Sequence, residues 1–336
     1  MKTLVRQYLN YDPNPPSIIY HYCSTQTMLS ILNSNCIWLS DSTKTNDSTE
    51  IKWLLNNVSD IFSEVIEKYK SEFSSEILDK VKIIINDVMM NMVTLRRSRN
   101  ITHKKNFLTC FSENGDLLSQ WRAYGNDGCG VALGFNSECF YMFKNGNQYE
   151  FTKVIYNLDE TRKFLHQVLY EKLKYIIMDC IENKTIEEGI FNLKIQVGML
   201  VDSIYQEGFI FKNQHFHEEN EWRLYRSIAP SNYDESDGVD CYRYSEFIEG
   251  FFSDNTKYLN NFTRSKLKFR ATESDIRCYT EIGFEKIKKQ IIKEIILGPK
   301  CNIDPFDLKL YLTENKYLEH IEDDSIRIKP SSIPYI

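Results

Sequence analysis

The chain has no large excess of charge of either sign, no paired-cysteine motif and no apolar run long enough to span a membrane. Each absence removes a class of function. Lys and Arg total 41 against 47 Asp and Glu, a net charge of −6 that is spread along the chain. General duplex binding needs a basic face that releases counterions, and this balance does not supply one. The densest basic run, Arg96, Arg97, Arg99, Lys104 and Lys105, reads as a solvated helix end, although a local basic groove stays open. None of the nine cysteines forms a CxxC, which argues against a zinc ribbon or a thioredoxin-type site. Their odd number, with a polar lead-in after Met1 and no apolar signal core, predicts free thiols in a reducing cytoplasm. Phosphate loops of P-loop or Rossmann spacing are missing, as are internal repeats. Residues 50 to 100 contain no Gly or Pro.

What the chain does contain is a mixture of short β-rich runs and two long helical arms. Ser17 to Cys23 is a β-branched and aromatic run, read as a buried strand. Ser24 or Thr25 caps a helix over Gln26–Asn33, and Asn35 closes it. Cys36 to Ser40 is a second strand, followed by a polar loop from Asp41 to Glu50. From about 50 to 100, Ile51, Leu54, Val58, Ile61, Phe62, Val65 and Tyr69 recur at helical steps, and a second apolar series follows from Ile77. Asn106–Ser112 returns to strand. A short helix over Leu117–Tyr124 leads through the turn Gly125–Gly128 to a strand over Cys129–Phe135. Gly130 and Gly134 in that strand predict close approach by another backbone or a ligand. Phe151–Tyr156 is read as a strand and about 159–205 as the second helical arm. Residues 231–240 are a polar loop. Leu267–Arg270 and the stretch after it, Ile291–Leu297 and Ser325–Lys329 are further strands, with a helix over Asp304–Leu312. This order predicts an α+β fold in which 1–336 form a single domain, a β-rich core bearing two helical insertions that pack on each other.

The segment Gln214 to Tyr225 concentrates charge. Read as a strand, it projects Glu219, Glu221 and Arg223 to one side and Trp222 and Leu224 to the other. Adjacent carboxylates on one strand repel, so the pair needs a compensating cation, a shared proton or a chemical role. A salt-bridged strand with Arg223 neutralising a glutamate satisfies the pattern without any activity. Two other polar clusters sit at strand ends: Tyr20-His21-Tyr22, and the block from Cys110-Phe111-Ser112 to Tyr124. Taken singly, His21 fits a satisfied core histidine, Ser112 a turn cap, and Trp121 with Tyr124 one packed helix face. Together they describe a site with an imidazole, a hydroxyl, aromatic surface and a carboxylate.

These residues carry a resemblance. Tyr20-His21-Tyr22, Ile37-Trp38-Leu39-Ser40, Asn46-Asp47-x-x-Glu50, Cys110-Phe111-Ser112-Glu113 and Trp121-x-x-Tyr124 resemble the bacterial family called domain of unknown function 2971. So do Gly130-Val131-x-Leu133-Gly134-Phe135, Lys212, Glu219-x-Glu221-x-Arg223 and Glu294 to Gly298. Ser48 stands where the family commonly has proline, and Phe216 where it has tryptophan. More distantly, a first strand with His, a later strand with Ser and a late Glu-x-Glu resemble the layout of ADP-ribosyltransferases and their split sheet. That resemblance implies NAD as substrate. It makes Glu221 catalytic with Glu219 orienting the acceptor, His21 a holder of NAD, and Tyr22, Ser112, Trp121, Tyr124 and Arg223 the lining of the cofactor pocket, with no metal. The acceptor would be protein, nucleic acid or water. A toxin or phage-defence effector, with or without a regulatory partner, would suit the chemistry.

Two other functions compete. A metal-dependent nuclease would gather Asp47, Glu50, Glu219 and Glu221 around Mg²⁺ with Lys212 assisting, and it predicts that the 46–50 loop reaches the glutamates. A non-catalytic sensor or binding module predicts polar clusters that are salt-bridged and closed, with no cleft.

Overall fold

In the computed structural model the described residues are 13–44, 50–95, 105–140, 149–181, 186–228, 263–264, 267–272 and 274–335. The first strand, β1 (Ile18–Cys23), runs into helix α1 (Thr25–Ser34) and strand β2 (Cys36–Asp41). Local chemistry sets the joints. The Ser24 hydroxyl accepts from the Thr27 amide at 3.1 Å, which satisfies an otherwise orphan donor of the first turn. Asn35 ends the helix at φ 49°, the left-handed region that Asn tolerates better than most residues. Asp41, expected to open a polar loop, is instead the last residue of β2 and is buried, with the Lys105 ammonium at 2.9 Å. Ser42–Lys44 follow it as a 3-10 turn. Residues 45–49 of that loop, Asn46 and Asp47 included, lie outside the described residues, as does the side chain of Glu50.

The helical arms are α2 (Glu50–Lys68) with α3 (Ser75–Leu95), and α5 (Leu158–Ile181) with α6 (Ile186–Glu207). Their apolar stripes meet in one buried cluster that includes Val58, Ile61, Val65 and Tyr69 from the first arm and Phe164, Leu165, Val168 and Leu169 from the second. The Tyr69 hydroxyl donates to the Tyr170 carbonyl across the two arms. The arms therefore pack on each other, as the periodicity predicted, around apolar residues of their own.

The remaining strands are β3 (Lys105–Ser112), β4 (Val131–Asn136), β5 (Tyr149–Lys153), β6 (Glu221–Ile228), β7 (Thr263–Arg264), β8 (Lys268–Ala271), β9 (Ile276–Gly283), β10 (Ile292–Leu297) and β11 (Arg327–Pro330). Between them lie the short helices α4 (Leu118–Ala123) and α7 (Lys288–Ile291) and the C-terminal helix α8 (Pro305–Glu314). The eleven strands form a mixed sheet in the order β11-β10-β4-β1-β3-β2-β9-β7, with β6 also on β3, β5 on β6 and β8 on β9. The fold is thus α+β. Several strand expectations shift: Cys129–Phe135 is β4 over Val131–Asn136, Ser325–Lys329 is β11 over Arg327–Pro330, and Phe151–Tyr156 is β5 only as far as Lys153, with Ile155 making an isolated bridge to Phe211.

The sheet is parted at β3. One edge of β3 pairs with β6 over its full length, from Lys105↔Ile228 to Ser112↔Glu221. The opposite edge is shared. Strand β1 touches it only at Tyr20↔Ser112, and β2 only at Ser40↔Leu108 and Asp41↔Phe107. Among the described residues no strand pairs with Thr109, Cys110 or Phe111 on that edge, and the sheet opens there.

Candidate functional site

The opening is a cavity of about 510 Å³ whose walls come from segments remote in sequence: β1, α1, β2, β3, α4, the 212–219 segment, β6, β8 and β9. That volume lies in the usual range for small-ligand sites.

At one end stand the two glutamates. Residues Gln214–Glu219 form a 3-10 turn rather than a strand, and Asn220 at φ 41° reverses the chain into β6. Glu219 and Glu221 therefore do not share a strand. They meet because Lys212 holds both, its Nζ 2.7 Å from Glu219 Oε2 and 3.0 Å from Glu221 Oε2. Arg223 adds a fork to Glu221, Nε to Oε1 at 2.8 Å and Nη2 to Oε2 at 3.1 Å, and its Nη1 donates to the Phe209 carbonyl at 2.6 Å. The expected neutralisation by Arg223 is present, and Trp222 and Leu224 point the other way into the sheet core.

The two carboxylates sit in different fields. Burial pushes Glu221 toward the neutral form, but the Arg223 and Lys212 charges outweigh it and hold its carboxyl well below the usual range. Glu219 moves the other way. Burial raises it, Lys212 offsets part of that, and the negative charge of Glu221 adds to the rise. Two acids pushed apart in this manner can be an ionised one and a proton-exchanging one in the same site. Lys212 is also buried, yet the two carboxylates keep it firmly charged, and the Phe216 ring lies 4.8 Å from its ammonium.

His21 lies on the parted edge. Its Nδ1 is 3.0 Å from the Cys110 carbonyl oxygen. A carbonyl only accepts, so Nδ1 carries the proton and Nε2 is left with a lone pair. Burial keeps the ring neutral, lowering its pKa despite that hydrogen bond. His21 and both glutamates thus share one cavity. Cys110 lines it too, and burial followed by the Glu221 charge raises its thiol far above the ordinary value, which makes it a poor nucleophile.

The remaining expected residues divide. The Tyr124 ring lines the cavity, its hydroxyl 3.3 Å from Glu219 Oε1. Tyr22 and Ser112 line it as well, but their hydroxyls are engaged in holding the 112–117 turn. Tyr22 donates to the Asn114 carbonyl at 2.9 Å and accepts from the Leu117 amide at 3.0 Å. Ser112 donates to the Glu219 carbonyl at 2.8 Å and accepts from the Asn114 amide at 3.1 Å. Trp121 is not in the wall. It is fully buried behind Tyr22, with ring centroids 4.8 Å apart, and its Nε1 donates to Asp116 at 2.8 Å. Arg223 lines the cavity too, although it is buried and bonded to Glu221.

Sequence reasoning missed the far wall of the cavity: Trp38, Lys44, Arg270 and Arg277. The signal was faint, because Arg270 and Arg277 meet only through the pairing of β8 with β9, Arg270↔Arg277. Among the described residues no group of three or more His, Cys, Asp or Glu is arranged to hold a metal. The cysteines described, such as Cys23, Cys110 and Cys278, form no disulfide. No helix among the described residues is long and apolar enough to cross a membrane.

Residues 120–224, which run from α4 to the middle of β6, match the family model described as protein of unknown function (DUF2971). The resemblance read from the sequence is borne out over that span, which holds Tyr124, Lys212, Glu219, Glu221 and Arg223. No curated protein and no solved structure matches the chain.

Proposed function

We propose that the cavity takes NAD and breaks the bond between its nicotinamide and ribose, passing the ADP-ribose to water or to a hydroxyl of an acceptor. The observation that carries this is the shared cavity itself: a neutral imidazole, an aromatic hydroxyl and two carboxylates of opposed acidity face one space where the sheet parts. A non-catalytic module led to the expectation of a closed salt-bridged cluster. The salt bridges are present, but the space beside them is open.

The geometry favours a different division of labour from the one the resemblance implies. Both oxygens of Glu221 are occupied by Arg223 and Lys212, and the residue is 3% exposed. A carboxylate so neutralised has little left to offer a developing positive charge. Glu219 has one oxygen on Lys212 and the other only distantly on Tyr124, so it is the freer acid. In this assignment the C1′–N1 bond breaks with both electrons moving to the nicotinamide ring nitrogen, which loses its positive charge. The ribose becomes oxocarbenium-like, and the negative end of Glu219 stabilises it. The oxygen of water or of the acceptor hydroxyl bonds to C1′ and gives its proton to Glu219, whose raised pKa suits it as a base. Glu221, Lys212 and Arg223 form the frame that positions Glu219. His21 offers Nε2 to a ribose hydroxyl.

Purified protein incubated with NAD should release nicotinamide, measured by chromatography. Glu219→Gln should lower the rate by about a hundredfold to ten-thousandfold, the range for loss of a general base. If folded protein supplied with water, protein and nucleic acid acceptors releases no nicotinamide, the proposal is wrong.

A further inference from the structure

The far wall of the cavity holds two arginines placed where a strand pair ordinarily avoids them. Arg270 on β8 and Arg277 on β9 are direct cross-strand neighbours. Their side chains share one face of the ribbon and both line the cavity. Like charges directly opposite destabilise a sheet, so the pair calls for a counter-charge. The described carboxylates nearby bond lysines instead: Asp275 to Lys44 at 2.8 Å, Asp41 to Lys105 at 2.9 Å and Glu281 to Lys268 at 2.6 Å. Asp275 feels the charge of Arg277 but bonds Lys44. Among the described residues neither guanidinium has an ion pair, and the Arg277 Nε is buried with no acceptor.

Beside the arginines is aromatic surface. The Trp38 ring, 37% exposed, lies in the cavity wall with the Arg270 guanidinium 5.5 Å from its centroid and Tyr279 behind it at 4.5 Å. A planar cation over an exposed indole marks a surface that a nucleobase can stack on. Among the described residues, Lys44, Lys105, Arg270 and Arg277 at this end stand against Asp41 and Asp275, 4 − 2 = +2, in a chain whose total is −6. At the glutamate end Lys212 and Arg223 balance Glu219 and Glu221.

We propose that Arg270 and Arg277 receive the diphosphate of a nucleoside diphosphate group and that Trp38 stacks its base. This deepens the NAD proposal and rests on it for the identity of the ligand, whose ADP half would lie at this end and whose nicotinamide ribose would reach Glu219. Arginine forks suit phosphate oxygens in pairs, and bound phosphate removes the repulsion between the two strands.

Titration calorimetry on the full chain with ADP, inorganic pyrophosphate and adenosine tests it. One ADP should bind per chain, and Arg270→Gln and Arg277→Gln should each weaken it at least tenfold. Pyrophosphate binding should fall with the same two variants and survive Trp38→Ala, which should weaken ADP and adenosine. Without ligand, each arginine variant should melt no lower than the parent at low salt, because a repulsion has been removed; this keeps folding failure from passing as support. Absence of ADP binding, or equal binding by well-folded Arg270→Gln and Arg277→Gln, overturns the inference. The two proposals fail separately. Arginine-dependent ADP binding without any nicotinamide release leaves the phosphate subsite standing and removes the NAD chemistry. Nicotinamide release with a KM unchanged in both variants does the reverse.

Discussion

The His21 ring donates from Nδ1 to the Cys110 carbonyl across the parting between β1 and β3, which pair only at Tyr20↔Ser112. This one contact both bridges the opening and fixes which nitrogen faces any ligand as an acceptor. His21→Phe preserves a ring but removes the donor, leaving the carbonyl without its partner. That should cost about 1–3 kcal/mol in denaturant unfolding. The substitution should also change the pH profile. The folded pKa of His21 lies below its ordinary 6.5, so below that value the unfolded chain takes up the proton first. The parent should therefore lose stability as pH falls from about 6.5 toward the lower folded value, by up to about 1.4 kcal/mol per pH unit. His21→Phe should lack this component. A melting series that falls equally in parent and variant would show that the ring is not held neutral.

The two glutamates should respond to the same substitution with opposite signs. Glu221 is depressed by two buried cations, so its contribution to stability is full above about pH 4.5 and is lost as pH falls through its lower folded value. Glu221→Gln leaves Lys212 and Arg223 short of a counter-charge and should cost about 3–5 kcal/mol at pH 7. Glu219 is raised, so its ionisation weighs against the fold as pH rises through its folded value. Glu219→Gln should raise the melting temperature slightly at pH 7 while slowing turnover by about a hundredfold to ten-thousandfold. Gain of stability with loss of activity separates a site residue from a structural one. Equal destabilisation by both variants would contradict the assignment.

How far these features can be read in the sequence depends on how locally they are determined. Ser24 and Asn35 act through neighbours three and four residues away, and their caps were readable, whereas Asp304, expected as the first residue of its helix, is its cap and accepts from the Phe306 amide at 2.7 Å. Glu219 and Glu221 were linked correctly for an incorrect reason. An alternating strand was expected, whereas a 3-10 turn and Lys212 bring them together. Trp121 and Tyr124, three apart, were expected on one face. Helix α4 stops at Ala123, and Tyr124 at φ −126°, ψ −24° turns out of it toward the cavity while Trp121 stays in the core. The parting of the sheet and the Arg270–Arg277 pair depend on strand order and register, which no short window encodes.

Asp116 fastens the C-terminal segment to the back of the site. It accepts from Trp121 Nε1, from the Ser331 hydroxyl at 2.5 Å, and from the Ser332 amide and hydroxyl at 2.7 and 2.8 Å. Burial acts to raise its pKa, but these donors prevail and hold it below the ordinary carboxylate value. Asp116→Ala should free residues 331–335 and loosen Trp121 against Tyr22. Faster amide exchange in that segment and a weaker near-ultraviolet tryptophan signal would report it, with Asp116→Asn intermediate. Unchanged exchange in Asp116→Ala would show that the segment is held by other contacts.

Gly130 was expected to mark a close approach, and what approaches is backbone. A Cβ there would lie 2.2 Å from the Cys23 carbonyl oxygen and 2.8 Å from that of Gly125. Neither can yield easily, because Cys23 is locked to Val131 in the β1–β4 ladder, and the Gly130 amide itself donates to the Gly125 carbonyl at 2.9 Å. Gly130→Ala should therefore cost about 1–3 kcal/mol, the range for forcing atoms into filled space. Because the strain falls at the end of the strand carrying His21, ligand binding should weaken in the same variant. Gly198 is the natural control. It lies inside α6 with nothing within 4 Å of an added Cβ, so Gly198→Ala should stabilise the chain by about 0.5–1 kcal/mol through helix propensity. Paired urea titrations should move the two midpoints in opposite directions. A Gly130→Ala midpoint at or above the parent's would mean that β1 and β4 can separate without loss, and the rigid placement of His21 would then have to come from elsewhere.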